Sequence, residues 1–268
     1  DCADPIVSSA MAGCARVSRL ARTFTDIHAQ TIWNVGTNVA SPLLFAYTMW
    51  VLSRAQTQNI NRVYFLARDG EILMQIAQHL CRWLNLTIEC RYLYASRQSF
   101  SLPSLTEFNA ESLGWIFNMH EHSTVRSILA RVALTPNDVE GELARVGFCR
   151  EDWDRALTSS DVNKLTAVII DPAVAERILI KAKESREILI DYLRQEGLAD
   201  NATWAICDVG WRGAIQRSLQ KVTANVPGFS HPVKGFYFGL NKSELLIETA
   251  HAEAFEAALT GLTWTIDT

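Results

Sequence analysis

The sequence predicts a Rossmann-like α/β fold, with a mainly parallel sheet of about four to six strands and a large helical insertion. Two observations support this prediction. Short segments rich in β-branched and aromatic residues alternate with segments of helical periodicity, and one long stretch in the middle of the chain has helical periodicity alone. The 268 residues are 49% hydrophobic and 20% charged, which is typical of a folded globular protein with a sizeable core.

The first part of the chain is predicted to be an arm followed by a helix. Residues 1–25 are expected to form an N-terminal linker or arm, and residues 26–268 are expected to form the α/β domain. Apolar residues recur at helical spacing across residues 24–56, with interruptions near Gly36 and Pro42. We expect this helical segment to pack against the sheet.

Four segments have the composition of buried strands, and each ends in a polar or glycine-containing turn. They span residues 62–67, 88–95, 203–207 and 234–239. Helical spacing follows the first, the third and the fourth of them, in the last case as far as about residue 259. This alternation predicts parallel pairing. Between the second and third strands, residues from about 106 to 200 have only helical patterns and form the predicted insertion.

Charge and cysteine content exclude several classes of protein. The 25 basic and 29 acidic side chains give a net charge of −4, without the basic excess of a nucleic-acid-binding protein. The six cysteines are scattered without a CxxC pair, so we expect reduced thiols rather than a zinc site or a disulfide framework. The motifs of serine hydrolases, P-loop NTPases and dinucleotide-binding proteins are absent from the sequence.

No membrane span is predicted. The most apolar run, residues 39–52, has about half the length that crosses a bilayer, and it contains Pro42 and is followed at once by Ser53 and Arg54. The start of the sequence lacks the uninterrupted apolar segment and cleavage site of an export signal. We therefore expect a cytoplasmic protein.

Polar residues and glycines are concentrated where three of the predicted strands end. The carboxyl ends of parallel strands meet at one edge of the sheet, where α/β proteins bind ligands. Arginine suits phosphate oxygens, glycine lets backbone amides approach an anion, and aspartate suits Mg²⁺ or sugar hydroxyls. The combination predicts a site for a phosphorylated sugar with Mg²⁺. These strand ends are Arg68-Asp69-Gly70, Ser96-Arg97-Gln98 and Asp208-Val209-Gly210-Trp211-Arg212-Gly213.

Structural roles are open alternatives for several of these residues. Asp69 is equally suited to cap the following helix. Arg97 is suited to an ion pair with an acid of the insertion, and Trp211 is suited to the core as well as to stacking on a ligand. The sequence His120-Glu121-His122 resembles a metal pair, but it lacks a third ligand at helical spacing and is better explained as a loop.

Four motifs together resemble a known family. The motifs are RVYFLARDGEIL, RYLYASRQSF, ICDVGWRGAIQ and GFYFGL. They are similar to the carboxy-terminal domain of bacterial surface-polysaccharide proteins that are often labelled as predicted haloacid-dehalogenase-type hydrolases. In two-domain ribofuranosyltransferases this domain resembles a phosphoribosyltransferase. The resemblance covers residues from about 33 to 256, and the helical insertion is its least matched part.

The resemblance implies a phosphoribosyltransferase-like fold and a glycosyltransferase activity. The enzyme would transfer 5-phosphoribose from 5-phosphoribosyl diphosphate (PRPP) to a glycan acceptor in bacterial surface polysaccharide synthesis, with Mg²⁺ as the implied cofactor. A separate phosphatase domain or protein of the haloacid-dehalogenase type would then remove the 5-phosphate. Both reactions would take place in the cytoplasm, at the inner face of the cytoplasmic membrane. Nucleic acid is not an expected partner.

On this hypothesis each candidate residue has a role. Arg68 and Asp69 face the diphosphate and its metal, Arg97 neutralises the departing group, and Asp208 holds the ribose hydroxyls, so that Asp69 and Asp208 are the predicted Mg²⁺ ligands. The predicted substrate-binding residues are Gly70, Ser96, Gly210, Trp211, Arg212, Gly213 and Ala214. One departure is that the usual PRPP loop has two acids and then small residues, whereas this chain has the single acid Asp208.

Two other functions remain open from the sequence. A phosphatase of the haloacid-dehalogenase type would use Asp69 or Asp208 as its nucleophile and would need a second carboxylate two residues later. Those positions hold Glu71 and Gly210, which leaves Asp69 as the better nucleophile. The third hypothesis is a non-catalytic module that binds a sugar phosphate or an acceptor.

Overall fold

A computed structural model describes residues 5–118, 122–210, 212–229, 232–241 and 251–255. The helices are α1 (Pro5–Leu20), α2 (Ile27–Val35), α3 (Ser41–Thr57), α4 (Gly70–Leu84), α5 (Arg97–Ser101), α6 (Ala110–Ile116), α7 (Val125–Arg131), α8 (Glu140–Arg145), α9 (Ser159–Ile169), α10 (Pro172–Gln195) and α11 (Ala214–Thr223). A π-helical turn (Gly36–Ala40) joins α2 to α3, and 3-10 turns span Pro136–Val139 and Arg150–Asp152. The strands are β1 (Arg62–Leu66), β2 (Glu89–Leu93), β3 (Trp204–Asp208), β4 (Lys234–Tyr237) and β5 (Ala252–Ala254).

The five strands form one parallel sheet in the order β2-β1-β3-β4-β5. The predicted α/β class with a mainly parallel sheet and a helical insertion is thus confirmed. Both faces of the β1 backbone are covered, since all five of its residues are buried. Parallel strands that are buried on both faces have near-continuous apolar sequences, which is why β1, β3 and β4 were visible in the sequence.

The chain divides into two compact units. The sheet unit consists of Asp1–Tyr94, Ala202–Arg212 and Lys234–Thr268, and the helical unit consists of Ala95–Asn201 and Gly213–Val233. The helical unit begins before residue 106, where the sequence placed the start of the insertion. It also includes α11, which the sequence assigned to the α/β domain as the helix after the third strand.

The core of the sheet unit lies between one face of the sheet and two helices. Tyr47 and Val51 of α3 and Leu73 of α4 pack with the side chains of β1, β3 and β4 that point to this face. The strand residues in this cluster are Val63, Phe65, Ala205, Cys207 and Phe236. The long helical segment therefore packs against the sheet through its carboxy-terminal part, as predicted.

The helical unit has its own apolar core, formed by α6 to α10 and the turns between them. Helices α6, α7, α9 and α10 begin at side-chain caps, as the Asn, Thr and Asp residues at their starts predict. The carboxylate of Asp161 is almost fully buried and accepts hydrogen bonds from Thr158 and Arg155. These partners lower the pKa of Asp161 and keep it ionised.

Two predicted elements differ from the structure. The arm at residues 1–25 contains helix α1, which packs against the π-helical turn. A helix was predicted across residues 251–255, but β5 lies there and pairs with β4. Alanine and glutamate favour helix locally, yet Ala252 and Ala254 are small enough to be buried at the edge of the sheet. The rest of that predicted helix lies outside the described residues.

The helical stretch from Ile27 to Thr57 is continuous through the π-helical turn. Pro42 is the second residue of α3, which directly follows the π-helical turn. This stretch of 31 residues contains an 18-residue window with a mean hydropathy of 1.2, so it is long and apolar enough to cross a membrane by length and composition alone. One such helix is weak evidence for a span, because core helices of globular proteins meet the same criteria.

Candidate functional site

The chain adds strands to the sheet first in one direction and then in the other, and this change occurs between β1 and β3. The chain leaves β1 through α4 and reaches β2 on one side, whereas β3 lies on the other side of β1 and leads to β4. Phe65 pairs with Cys207 near the carboxyl ends of both strands. In doubly wound sheets with this strand order, the crevice at such a switch point is where ligands bind. The turns that begin at Arg68 and at Asp208 follow these two strands.

The turn after β1 presents two charged side chains. Arg68 and Asp69 are both exposed, and the peptide bond between Ala67 and Arg68 is cis. Asp69 occupies the N-cap position of α4, but its carboxylate makes no capping hydrogen bond. In the described part of the chain, neither side chain has a hydrogen-bond or ion-pair partner. The capping alternative for Asp69 is thus not realised, and both groups are available to a ligand at the amino end of a helix.

Gly70 brings the start of α4 against β1. A β-carbon at Gly70 would lie 2.6 Å from the carbonyl carbon of Phe65 and 3.0 Å from its oxygen. Since both atoms belong to a buried strand, they have no room to move. Gly70 therefore has a packing role, which accounts for a glycine here whether or not its amide also faces a ligand.

Gly210 brings the loop after β3 against the loop after β4. Its φ of +136° is accessible to glycine, and an added β-carbon would lie 2.2 Å from the carbonyl oxygen of Gly239. The two loops continue the pairing of the strands, because the amide of Phe238 donates to Asp208 O and that of Gly239 donates to Val209 O. Only glycine at residue 210 permits this approach.

Tyr47 holds the carboxyl ends of β3 and β4. Its buried hydroxyl lies 2.8 Å from the carbonyl oxygen of Asp208 and 3.0 Å from that of Phe236, and it donates to these acceptors. Burial raises the pKa of Tyr47 well above its ordinary value, so the hydroxyl keeps its proton. Sequence reasoning missed this role because a tyrosine in an apolar helix is indistinguishable from other core residues.

The side chain of Asp208 is half-buried at the end of β3. Burial, together with the charge of Asp208, raises the pKa of the neighbouring Tyr237 hydroxyl well above its ordinary value. The described residues contain no group of three or more His, Cys, Asp or Glu side chains that would hold a metal. Mg²⁺ is commonly bound by one or two carboxylates together with substrate phosphates, and Asp69 and Asp208 fit that kind of site.

A pair of tyrosines lies at the end of β2. The rings of Tyr92 and Tyr94 are 4.9 Å apart and perpendicular, and Tyr94 is 72% exposed. Partial burial and the negative charges of Glu71 and Asp69 raise the pKa of Tyr92. The sequence did not reveal this surface, since aromatic residues in a strand predict a core position.

Other predicted site residues lie in the helical unit. Ser96 caps α5, because its hydroxyl accepts from the amide of Ser99. Arg97 is exposed and has no ion pair with a described acid, so its structural alternative is not realised. Gly213 has a left-handed conformation immediately before Ala214, the first residue of α11. The contribution of these four residues to a ligand site stays a prediction.

Three further predictions concern residues at the margins of the described part. Arg212 is exposed at the end of the sheet unit. Trp211 lies outside the described residues, as do His120 and Glu121 of the sequence that resembles a metal pair.

The sequence as a whole matches no family model and no curated protein.

Proposed function

We propose that the crevice between the ends of β1 and β3 binds PRPP and that the protein is a phosphoribosyltransferase acting on a glycan. The observation that carries the proposal is the pairing of β1 with β3 at the switch point, which brings the turns after these two strands to the same edge of the sheet. The turn after β1 offers Arg68 and Asp69, whose side chains have no partner among the described residues, and the turn after β3 offers Asp208 and the glycine backbone at Gly210. The resemblance of four motifs to ribofuranosyltransferase domains supports the same function.

Each group has a role in recognising the donor. The Arg68 guanidinium is suited to the diphosphate, because its planar donors match phosphate oxygens. Asp208 is suited to the ribose hydroxyls, and the half-buried backbone at Gly210 is suited to the 5-phosphate. Asp69 and Asp208 would hold Mg²⁺, which neutralises charge on the diphosphate when it is bound.

The reaction breaks the bond between ribose C1 and the diphosphate and forms a bond from C1 to an acceptor hydroxyl oxygen. The ribose develops oxocarbenium character while negative charge grows on the departing diphosphate. A cation at this position, such as Arg68, stabilises that charge more in the transition state than in the ground state. The acceptor proton must pass to a base, and the exposed carboxylates of Asp69 and Glu71 are the candidates in this turn.

The proposal also includes a surface for the glycan acceptor, a partner enzyme and a place in the cell. The exposed ring of Tyr94, which packs edge-on against the ring of Tyr92, offers an aromatic surface for the apolar face of a sugar. The product keeps its 5-phosphate, so a partner phosphatase of the haloacid-dehalogenase type would have to remove it. We place this reaction at the inner face of the cytoplasmic membrane, where the growing glycan would be available.

A second candidate function is hydrolysis of a sugar phosphate. It is favoured by the exposure of both Asp69 and Glu71 without ion-pair partners among the described residues. Asp69 would attack phosphorus and break its bond to the sugar oxygen, which Glu71 would protonate. Glu71 would then take a proton from the water that hydrolyses the aspartyl phosphate to release inorganic phosphate. A non-catalytic binding module would use the same crevice without turnover.

Calorimetric titration of the full chain with PRPP, with and without Mg²⁺, tests the proposal. We expect saturable binding that strengthens at least tenfold when Mg²⁺ is present, since the metal neutralises the charge shared by the diphosphate and the two carboxylates. Absence of binding under both conditions would refute the transferase. Release of inorganic phosphate from ribose 5-phosphate would instead identify the phosphatase.

A further inference from the structure

Exposed apolar side chains are concentrated in the amino-terminal helices. In the described part of the chain, sixteen large hydrophobic side chains are exposed, and nine of them lie between residues 17 and 45. We call these nine the amino-terminal apolar surface. They are Val17, Leu20, Phe24, Ile27, Ile32, Val35, Val39, Leu43 and Phe45. Large exposed apolar surfaces on folded proteins mark sites of protein or membrane interaction.

Part of this surface is a stripe along one helix. Ile32, Val35, Val39 and Leu43 follow one another at intervals of three or four residues and are 59%, 54%, 62% and 41% exposed. The same stretch contains no Asp, Glu, Lys or Arg from residue 27 to residue 53. A helix on a water-facing surface normally carries charged residues on its exposed side. This one presents apolar side chains instead.

Positive charge borders the apolar surface. Residues 5–25 include Arg16, Arg19 and Arg22 and contain no acidic residue. None of the three arginines forms an ion pair with a described acid. The Arg22 guanidinium lies 5.7 Å from the ring centre of Trp33, whose indole N–H donates to the carbonyl of Arg19. Arginine and tryptophan beside an exposed apolar face are typical of helices that lie in the headgroup region of an anionic bilayer.

We propose that the amino-terminal apolar surface docks the protein on an anionic lipid bilayer. The apolar side chains would enter the boundary between headgroups and acyl chains, and the three arginines would contact lipid phosphates. A second copy of the chain is a poorer match, because a symmetric interface would bring the same arginines together. This inference rests on the helices alone and does not depend on the proposed transferase activity.

The helix is expected to lie on the bilayer rather than to cross it. Its carboxy-terminal part supplies Tyr47, Val51 and Leu52 to the core of the sheet unit, so those residues are not free to enter lipid. The exposed part contains the polar residues Asn34 and Asn38, which suit the interface better than the hydrocarbon interior.

Flotation of the full chain with lipid vesicles tests this proposal. We expect the wild-type chain to float with vesicles that contain phosphatidylglycerol and to bind at least tenfold more weakly to pure phosphatidylcholine. Replacement of the two exposed valines of the stripe (Val35→Ser and Val39→Ser) should weaken binding at least tenfold. Replacement of Arg16, Arg19 and Arg22 by glutamine should also weaken it and should reduce its dependence on salt.

Matched variants keep the test specific. The pair Ile180→Ser and Ile188→Ser removes equally exposed apolar side chains from α10 and should leave vesicle binding unchanged. Thermal unfolding checks that each variant is folded, which we expect because the replaced side chains are exposed. Absence of flotation for the wild type, or equal flotation of the valine variant, would overturn the proposal. A dimer in sedimentation that the valine variant abolishes would assign the surface to a second copy.

Discussion

Replacing Gly210 by alanine is expected to lower the free energy of unfolding by about 3 kcal/mol. A β-carbon at this position would lie 2.2 Å from the carbonyl oxygen of Gly239, at a φ of +136° that L-residues rarely adopt. The clash is with backbone, so no side-chain rotation relieves it. The loops after β3 and β4 would have to separate, and the hydrogen bond from Gly239 N to Val209 O would be lost. Urea denaturation measures the change.

Gly141→Ala is the matched control for this variant. Gly141 lies in α8, where an added β-carbon meets no atom within 4 Å. Alanine there is expected to leave stability unchanged or to raise it by about 0.5 kcal/mol, since alanine favours helix. If Gly210→Ala unfolds at the same urea concentration as the wild type, the close approach of the two loops is contradicted.

Replacing Asp69 by asparagine is expected to weaken binding of PRPP in the presence of Mg²⁺ at least tenfold. The change removes one negative charge from the proposed metal site and keeps the size of the side chain. In the described residues the Asp69 carboxylate has no partner, so stability should change by less than about 0.5 kcal/mol. Loss of binding with unchanged stability would separate a role in binding from a role in folding. Calorimetric titration and urea denaturation measure the two quantities.

Asp191→Asn is the control for the loss of a surface charge. Asp191 lies on α10 and forms an exposed ion pair with Arg194, which contributes little to stability. This variant should bind PRPP as the wild type does. Unchanged binding by Asp69→Asn would exclude this carboxylate from the site and would leave Asp208 as the remaining predicted Mg²⁺ ligand.

The parallel sheet was predictable because its signal is local. The strand that begins at Arg62 and the strand that ends at Asp208 are short, apolar and followed by turns, and the structure begins and ends them within two residues of the predicted positions. The strand at Ala252–Ala254 was not predictable, since its pairing with β4 overrides the helical preference of alanine and glutamate.

The candidate site was predictable only in part. The turns at Arg68 and Asp208 stand out because charged residues and glycines follow buried strands. The reason for Gly210 was not visible, since it depends on Gly239 in the loop of another strand. The role of Tyr47 was equally hidden, because its hydroxyl reaches carbonyl groups that are distant in sequence. Such long-range contacts leave no periodic pattern in the chain.

Hydrogen–deuterium exchange, with and without PRPP and Mg²⁺, is the most direct test of a ligand site between the ends of β1 and β3. Backbone amides in residues 66–71 and 207–210 are expected to exchange more slowly when the ligand is present, because those turns would contact it. Slower exchange elsewhere, with both of these turns unchanged, would contradict a site at the switch point.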